Sequence, residues 1–114
     1  MANLSSINIT YADNEVYVIA FQSDPATPKK GLSVELAHLQ GGFGQEQNLT
    51  IIPGSVLPSG TYNLLIIGVC WSGNETGVLR GTLNYADGTD KSIGASSEHG
   101  QIGVFTKEVY EITV

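Results

Sequence analysis

The chain has 114 residues, of which 41% are hydrophobic and 14% are charged, and its formal net charge is −6 at pH 7. This length predicts one domain, residues 1–114, and the apolar fraction predicts that it folds. Only five residues are Lys or Arg. So few basic side chains argue against nucleic acid and against an anionic membrane surface as partners.

Alternating apolar and polar residues dominate the first half of the chain. Residues 7–11 and 32–36 alternate, residues 16–21 are β-branched and aromatic, and residues 49–52 are a short apolar run. Period-two patterns of this kind predict strands with one face toward a core. We expect residues 12–15 to join the first two strands as a tight hairpin.

The second half continues the pattern with four more predicted strands. Residues 62–71 are almost continuously apolar, which predicts a central strand covered on both faces. Residues 79–85 and 108–114 alternate, and 102–106 form a brief strand. Asp-Gly at 87–88 is a strong hairpin signal. About eight strands and no convincing helix predict an all-β fold, an antiparallel β-sandwich of the jelly-roll or immunoglobulin-like kind.

Residues that could carry catalysis are few. Cys70 lies in an apolar run with no basic neighbour, which predicts a buried structural thiol. His38 continues a predicted strand and is expected in the core or at its rim. His99 follows Ser97 and Glu98 in a polar loop, but proximity in sequence is weak evidence for a catalytic triad. We therefore expect no enzyme activity.

The metal-ligating residues do not form a known motif. The Cys and His residues are too scattered for a zinc site. Calcium stays open, because Asp87 with Asp90, and Asp13 with Asn14 and Glu15, are clusters of oxygen ligands. These residues can also form turns through hydrogen bonds between side chain and backbone, and this explanation is favoured over calcium binding. No metal ligand or other cofactor is assigned.

Trp71, the only tryptophan, precedes the polar loop 72–77. A large aromatic residue that ends a buried run usually packs inward. The alternative is a sugar site, in which the indole stacks on a pyranose while nearby amides and carboxylates bind its hydroxyls. On that hypothesis the ligand-binding residues are Trp71, Asn74, Glu75, Asp87 and Asp90.

Three features follow one another between residues 53 and 100: Pro-Ser-Gly at 58–60, the polar loop 72–77 and a predicted strand at 77–85 that ends in Tyr. In these features the chain resembles the small β-sandwich proteins of the aegerolysin and bacterial crystal-protein type. The resemblance covers less than half of the chain, which lacks the abundant tryptophans of that group. The resemblance implies lipid or glycolipid recognition, and pore formation with a partner, and no site residue follows from it.

Two main hypotheses on function follow. The first is a non-catalytic, lectin-like recognition module with a glycan as ligand. The second is a self-assembling structural or inclusion-type protein, and in either case we expect a homo-oligomer, given the low charge and the apolar terminal strand. A glycosidase using two carboxylates is a weaker alternative. No signal peptide or transmembrane segment is visible, so we expect a cytoplasmic protein or export without a leader.

Overall fold

The computed structural model describes residues 2–22, 32–98 and 100–114, which form eight β-strands and one short 3₁₀ turn. The elements are β1 Leu4–Asp13, β2 Glu15–Gln22, β3 Leu32–Gln40, β4 Glu46–Ile51, the 3₁₀ turn Pro53–Ser55, β5 Thr61–Cys70, β6 Val78–Tyr85, β7 Asp90–Ser96 and β8 Gly103–Thr113. The predicted all-β antiparallel sandwich is confirmed. No helix among these residues is long and apolar enough to cross a membrane.

The strands divide into two antiparallel sheets of four. The first sheet has the order β4-β1-β6-β7 and the second sheet has the order β3-β2-β5-β8. Because neighbouring strands run in opposite directions, the connections that follow β1, β3, β5 and β7 all lie at one end of the sandwich. We call this the loop end. The β6–β7 hairpin lies at the opposite end.

The predicted hairpin at residues 12–15 is wrong, because β1 and β2 belong to different sheets. Asn14 alone joins them, and both of its main-chain polar groups bind elsewhere. Its N–H donates to the Val69 carbonyl at 2.9 Å, and its carbonyl accepts the Gly41 N–H at 2.8 Å. These bonds turn the chain from one sheet to the other where a hairpin would have paired the two strands.

The core is the aliphatic layer between the two sheets. Along β2 the inward side chains Val16 and Val18 have no exposed surface, and along β5 the same holds for Leu64 and Ile66. Ile7, Ile9, Leu79, Leu83 and Ile112 complete the largest fully buried group. Cys70 is also buried, as expected.

The prediction that β5 is covered on both faces is wrong. Leu65 and Ile67 point away from the core, on the outer face of the second sheet, and are only partly buried. Among the described residues, the apolar run in β5 therefore has one dry side and one partly exposed side.

Close approach of β1 and β6 depends on Gly81. A Cβ atom at Gly81 would lie 2.4 Å from the Asn8 carbonyl oxygen, so any side chain there must push the two strands apart. We expect Gly81→Ala to lower the free energy of unfolding by about 1–3 kcal/mol, measured by urea denaturation followed by circular dichroism.

The matched control is Gly42→Ala in the β3–β4 connection. A Cβ atom at Gly42 would meet only the Gln45 side chain, at 3.8 Å, so we expect a change below about 1 kcal/mol. Equal stability of the Gly81→Ala variant and the unchanged protein would contradict the close approach.

Candidate functional site

A buried carboxylate at the loop end, Glu15, binds two aromatic side chains. Glu15 begins β2 on the outer face of the second sheet and is 6% exposed. Its Oε1 accepts the indole Nε1–H of Trp71 at 2.9 Å, and its Oε2 lies 2.8 Å from Nε2 of His38. The bonds from Trp71 and then from His38 hold the pKa of Glu15 below its usual value. Glu15 is therefore charged at neutral pH and fixes both rings.

Trp71 is fixed in position but open to solvent. Its main-chain N–H donates to Oδ1 of Asn14 at 3.0 Å, in addition to the indole bond to Glu15. The side chain nevertheless is 56% exposed. The favoured prediction that Trp71 packs inward is therefore wrong: the indole N–H donates to the buried carboxylate of Glu15 on the outer face of the second sheet, and the ring stays outside the core.

His38 and Tyr17 extend the aromatic surface along the second sheet. Their rings stack with centroids 4.2 Å apart and planes 10° from parallel. His38 is 41% exposed and lies on the outer face of the second sheet, so the expected position in the core or at its rim is wrong. The cause is a β-bulge in β3: Val18 pairs with Ala37 but Ile19 pairs with Glu35, which leaves Leu36 as an extra residue. The bulge shifts His38 to the outer face.

Asp13, next to the corner residue Asn14, holds the β3–β4 connection in place. Its Oδ1 accepts the Gly44 N–H at 3.0 Å, and Asn14 Nδ2 donates to the Gly41 carbonyl at 3.2 Å. Burial raises the pKa of Asp13, and the charge of Glu75 raises it further. The two acids that flank Asn14 are thus shifted in opposite directions.

The five predicted ligand-binding residues do not converge on one place. Trp71, Asn74 and Glu75 lie together at the loop end, whereas Asp87 and Asp90 lie at the opposite end. The eight residues of β6 separate the two groups by about 25 Å at the usual rise per residue.

Asp87 already has a structural role. Its Oδ1 accepts both the main-chain N–H of Thr89 at 2.9 Å and the Thr89 hydroxyl at 2.6 Å. These bonds lower the pKa of Asp87 and stabilise the turn around Gly88, which has a φ of 87°. The predicted Asp-Gly hairpin is confirmed as the link between β6 and β7.

Sequence reasoning missed Glu15, His38 and Tyr17 as parts of one site. Glu15 and Trp71 are 56 residues apart, and no local pattern links them. One signal was available: a Glu directly before the apolar run 16–21 must lie on the face opposite Val16, which is the solvent side.

His38 and Ser97, two of the residues considered for catalysis from the sequence, have side-chain contacts within the fold. Both ring nitrogens of His38 face carboxylates, Glu15 at 2.8 Å and Glu35 at 3.9 Å. Ser97 Oγ accepts the Gly77 N–H at 2.7 Å, which is a structural bond. The predicted loop residue His99 lies outside the described residues.

The described residues also offer no metal centre. None of them form a group of three or more His, Cys, Asp or Glu side chains that could hold a metal ion. Calcium binding stays a prediction. A shallow depression of about 360 Å³ lies on the first sheet, with walls from β6 and β7 that include Arg80 and Ser92, away from Glu15 and His38.

No protein-family model matches the chain, and comparisons with curated proteins and with solved structures found no significant match.

The Glu15–Trp71 bond predicts an acid-sensitive tryptophan signal. The hydrogen bonds hold the pKa of Glu15 below 4.5, so its side chain is a carboxylate at neutral pH and stabilises the fold there. This stabilisation is lost as the pH falls through the lowered pKa of Glu15. We expect the emission of the single tryptophan to stay constant from neutral pH to about 5 and to shift below about 4.5, as protonation weakens the indole bond.

Two variants test whether the acid-induced change in tryptophan emission comes from Glu15. Glu15→Gln should shift the emission at neutral pH and remove the acid step, whereas Asp13→Asn should retain the step. An acid step unchanged in Glu15→Gln would show that Trp71 does not sense Glu15.

Proposed function

We propose that this chain is a non-catalytic carbohydrate-binding protein whose site is Trp71 and the polar groups around it at the loop end. The observation that carries the proposal is a tryptophan held by one indole and one main-chain hydrogen bond, yet 56% exposed. Fixed aromatic surfaces open to solvent suit the stacking of a sugar ring, because the C–H face of a pyranose is apolar.

Pre-organisation strengthens such a site. A free tryptophan side chain loses rotamer freedom when a ligand packs on it, which reduces affinity. The indole bond to Glu15 already restricts the side chain of Trp71, and the bond from its main-chain N–H to Asn14 fixes the backbone beneath it. Binding of a sugar would therefore cost little side-chain entropy, and most of the stacking energy would contribute to the affinity.

Polar groups around the ring can bind sugar hydroxyls. Asn74 and Glu75 follow Trp71 in the exposed loop of the β5–β6 connection. His38, which contacts the same Glu15 carboxylate as Trp71, is 41% exposed. Carboxylates accept hydrogen bonds from hydroxyl groups, and amides both donate and accept.

The charge of the site favours a neutral ligand. Glu15 accepts the indole N–H, Glu75 lies in the loop that follows Trp71, and none of the described Lys or Arg side chains bonds to either carboxylate. A sialylated or sulfated glycan would bring like charges together, at an energetic cost. We therefore infer that the ligand is a neutral or amine-bearing sugar. The lipid-binding alternative rests on the partial resemblance alone.

Glycan-array binding of the unmodified chain tests the proposal, with titration of the best ligand followed by tryptophan fluorescence. We expect Trp71→Ala to weaken binding about tenfold to a hundredfold, at about 1.4 kcal/mol per factor of ten, because stacking is lost. Its unfolding midpoint should change little, since the ring covers little of the core.

The matched control is the double variant Asp87→Asn and Asp90→Asn at the opposite end of the sandwich, which should bind as tightly as the unchanged chain. Absence of binding to any glycan, or full affinity in Trp71→Ala, would contradict the proposal.

A further inference from the structure

The depression on the first sheet contains a positive charge that no described acid neutralises. Its volume of about 360 Å³ lies within the usual range of about 300–1,000 Å³ for small-molecule sites. Arg80 forms part of one wall and is exposed. Its guanidinium makes no ion pair with the described residues, although the chain has 11 acidic and only five basic residues. An unpaired cation in a concave surface is a candidate partner for an anion.

Glycine at position 94 makes the depression a fixed feature of the backbone. Gly94 lies opposite Arg80 in the pairing of β6 with β7. It has a φ of 132°, and a Cβ atom there would lie 2.0 Å from the Leu79 carbonyl oxygen. Any side chain at this position would therefore clash with β6. The surface next to Arg80 on β7 consequently has to be bare main chain.

A β-bulge in β1 places an aromatic ring on the other side of Arg80. The pairing of β1 with β6 passes over Thr10, which is an extra residue of β1, and places Tyr11 opposite Arg80. Because Ile9 and Ala12 both face the core, this extra residue is what brings Tyr11 to the outer face.

The contact between the two side chains orients the arginine without neutralising it. The guanidinium carbon of Arg80 lies 5.7 Å from the centre of the Tyr11 ring, which is a cation–π contact with an uncharged partner. Glu46 lies opposite Tyr11 on the far side, on β4, so the ring stands between this carboxylate and Arg80. The arginine is therefore held in place with its charge available to a ligand.

Two serine hydroxyls beside the glycine can donate hydrogen bonds to the same ligand. Ser92 and Ser96 lie two residues to either side of Gly94, on the same face of β7, and both are exposed. Neither hydroxyl has a hydrogen-bond partner within the described chain. Arginine, in turn, binds carboxylate and phosphate groups through two parallel hydrogen bonds.

We propose that this depression binds a small organic anion, whose carboxylate or phosphate group forms paired hydrogen bonds with Arg80 beside the main chain of Gly94. The α-carbons of Ser92 and Ser96 are about 13 Å apart at the usual rise per residue, so the anionic group reaches one hydroxyl and the body of the ligand extends toward the other. Trp71 lies on the other sheet, so this site does not depend on carbohydrate binding.

Amide ¹H–¹⁵N spectra test the site, with acetate, benzoate and inorganic phosphate as probes and sodium chloride at matched ionic strength as the reference. We expect the Gly94 amide and the Arg80 Nε–H to shift in a saturable way, with dissociation constants of about 1 mM, because an open depression covers only part of each probe. Tighter binding of benzoate than of phosphate would assign the site to carboxylic acids, and the reverse order would assign it to phosphate esters.

Two variants with the same change in net charge test the role of Arg80. Arg80→Gln should raise the dissociation constant at least about tenfold, because the charged donor of the paired bonds is lost. Lys91→Gln is the matched control, since Lys91 lies on β7 with its ammonium 4.9 Å from the Tyr110 ring centre, outside the depression. It should change the constant less than about twofold, because salt screens a distant exposed charge.

Three results would overturn the proposal. They are shifts of Gly94 that sodium chloride reproduces, the absence of any shift with all three probes, and equal weakening of binding by Arg80→Gln and Lys91→Gln. The first two are measured on the unchanged chain, so they do not depend on how well a variant folds.

Discussion

The dry aliphatic layer between the two sheets is the interaction on which the rest of the structure depends. Each fully buried Val, Leu or Ile contributes about 1.5–3 kcal/mol through its removal from water. Because successive side chains of a strand alternate, the burial of Val16 and Val18 requires Glu15 and Tyr17 to point outward. In β5 the burial of Leu64 and Ile66 likewise turns Leu65 and Ile67 outward. The core thus determines which residues are available for binding.

The outward residues of the second sheet divide into two surfaces with different chemistry. Near the loop end, Glu15 fixes Trp71 and His38 by hydrogen bonds, and the result is an aromatic site around one buried carboxylate. Further along the same strands, aliphatic residues such as Ile19 and Leu65 replace the polar ones. The first surface suits a small neutral ligand that stacks and hydrogen-bonds.

Local pattern predicted much of the fold, and long-range pairing explains what it missed. Alternation identified the strands, Asp87-Gly88 identified a hairpin, and the apolar surroundings of Cys70 predicted its burial. No local signal shows that Leu36 is an extra residue opposite β2. The alternation of residues 32–36 therefore could not predict that His38 lies on the outer face of the sheet. The corner at Asn14 depends on bonds to Val69 and Gly41, which are distant in sequence. The exposure of Trp71 depends in the same way on Glu15.

The indole N–H of Trp71 gives the most direct measurement, because a single tryptophan gives a single indole resonance in a ¹H–¹⁵N spectrum. If Glu15 holds the ring as a stacking surface, this proton exchanges slowly with solvent, resonates away from the position of a free indole, and moves when a bound glycan is added. The Glu15→Gln variant should bring its exchange closer to that of a free indole. A rapidly exchanging resonance at the free position, indifferent to both Glu15→Gln and glycan, would contradict the proposed site.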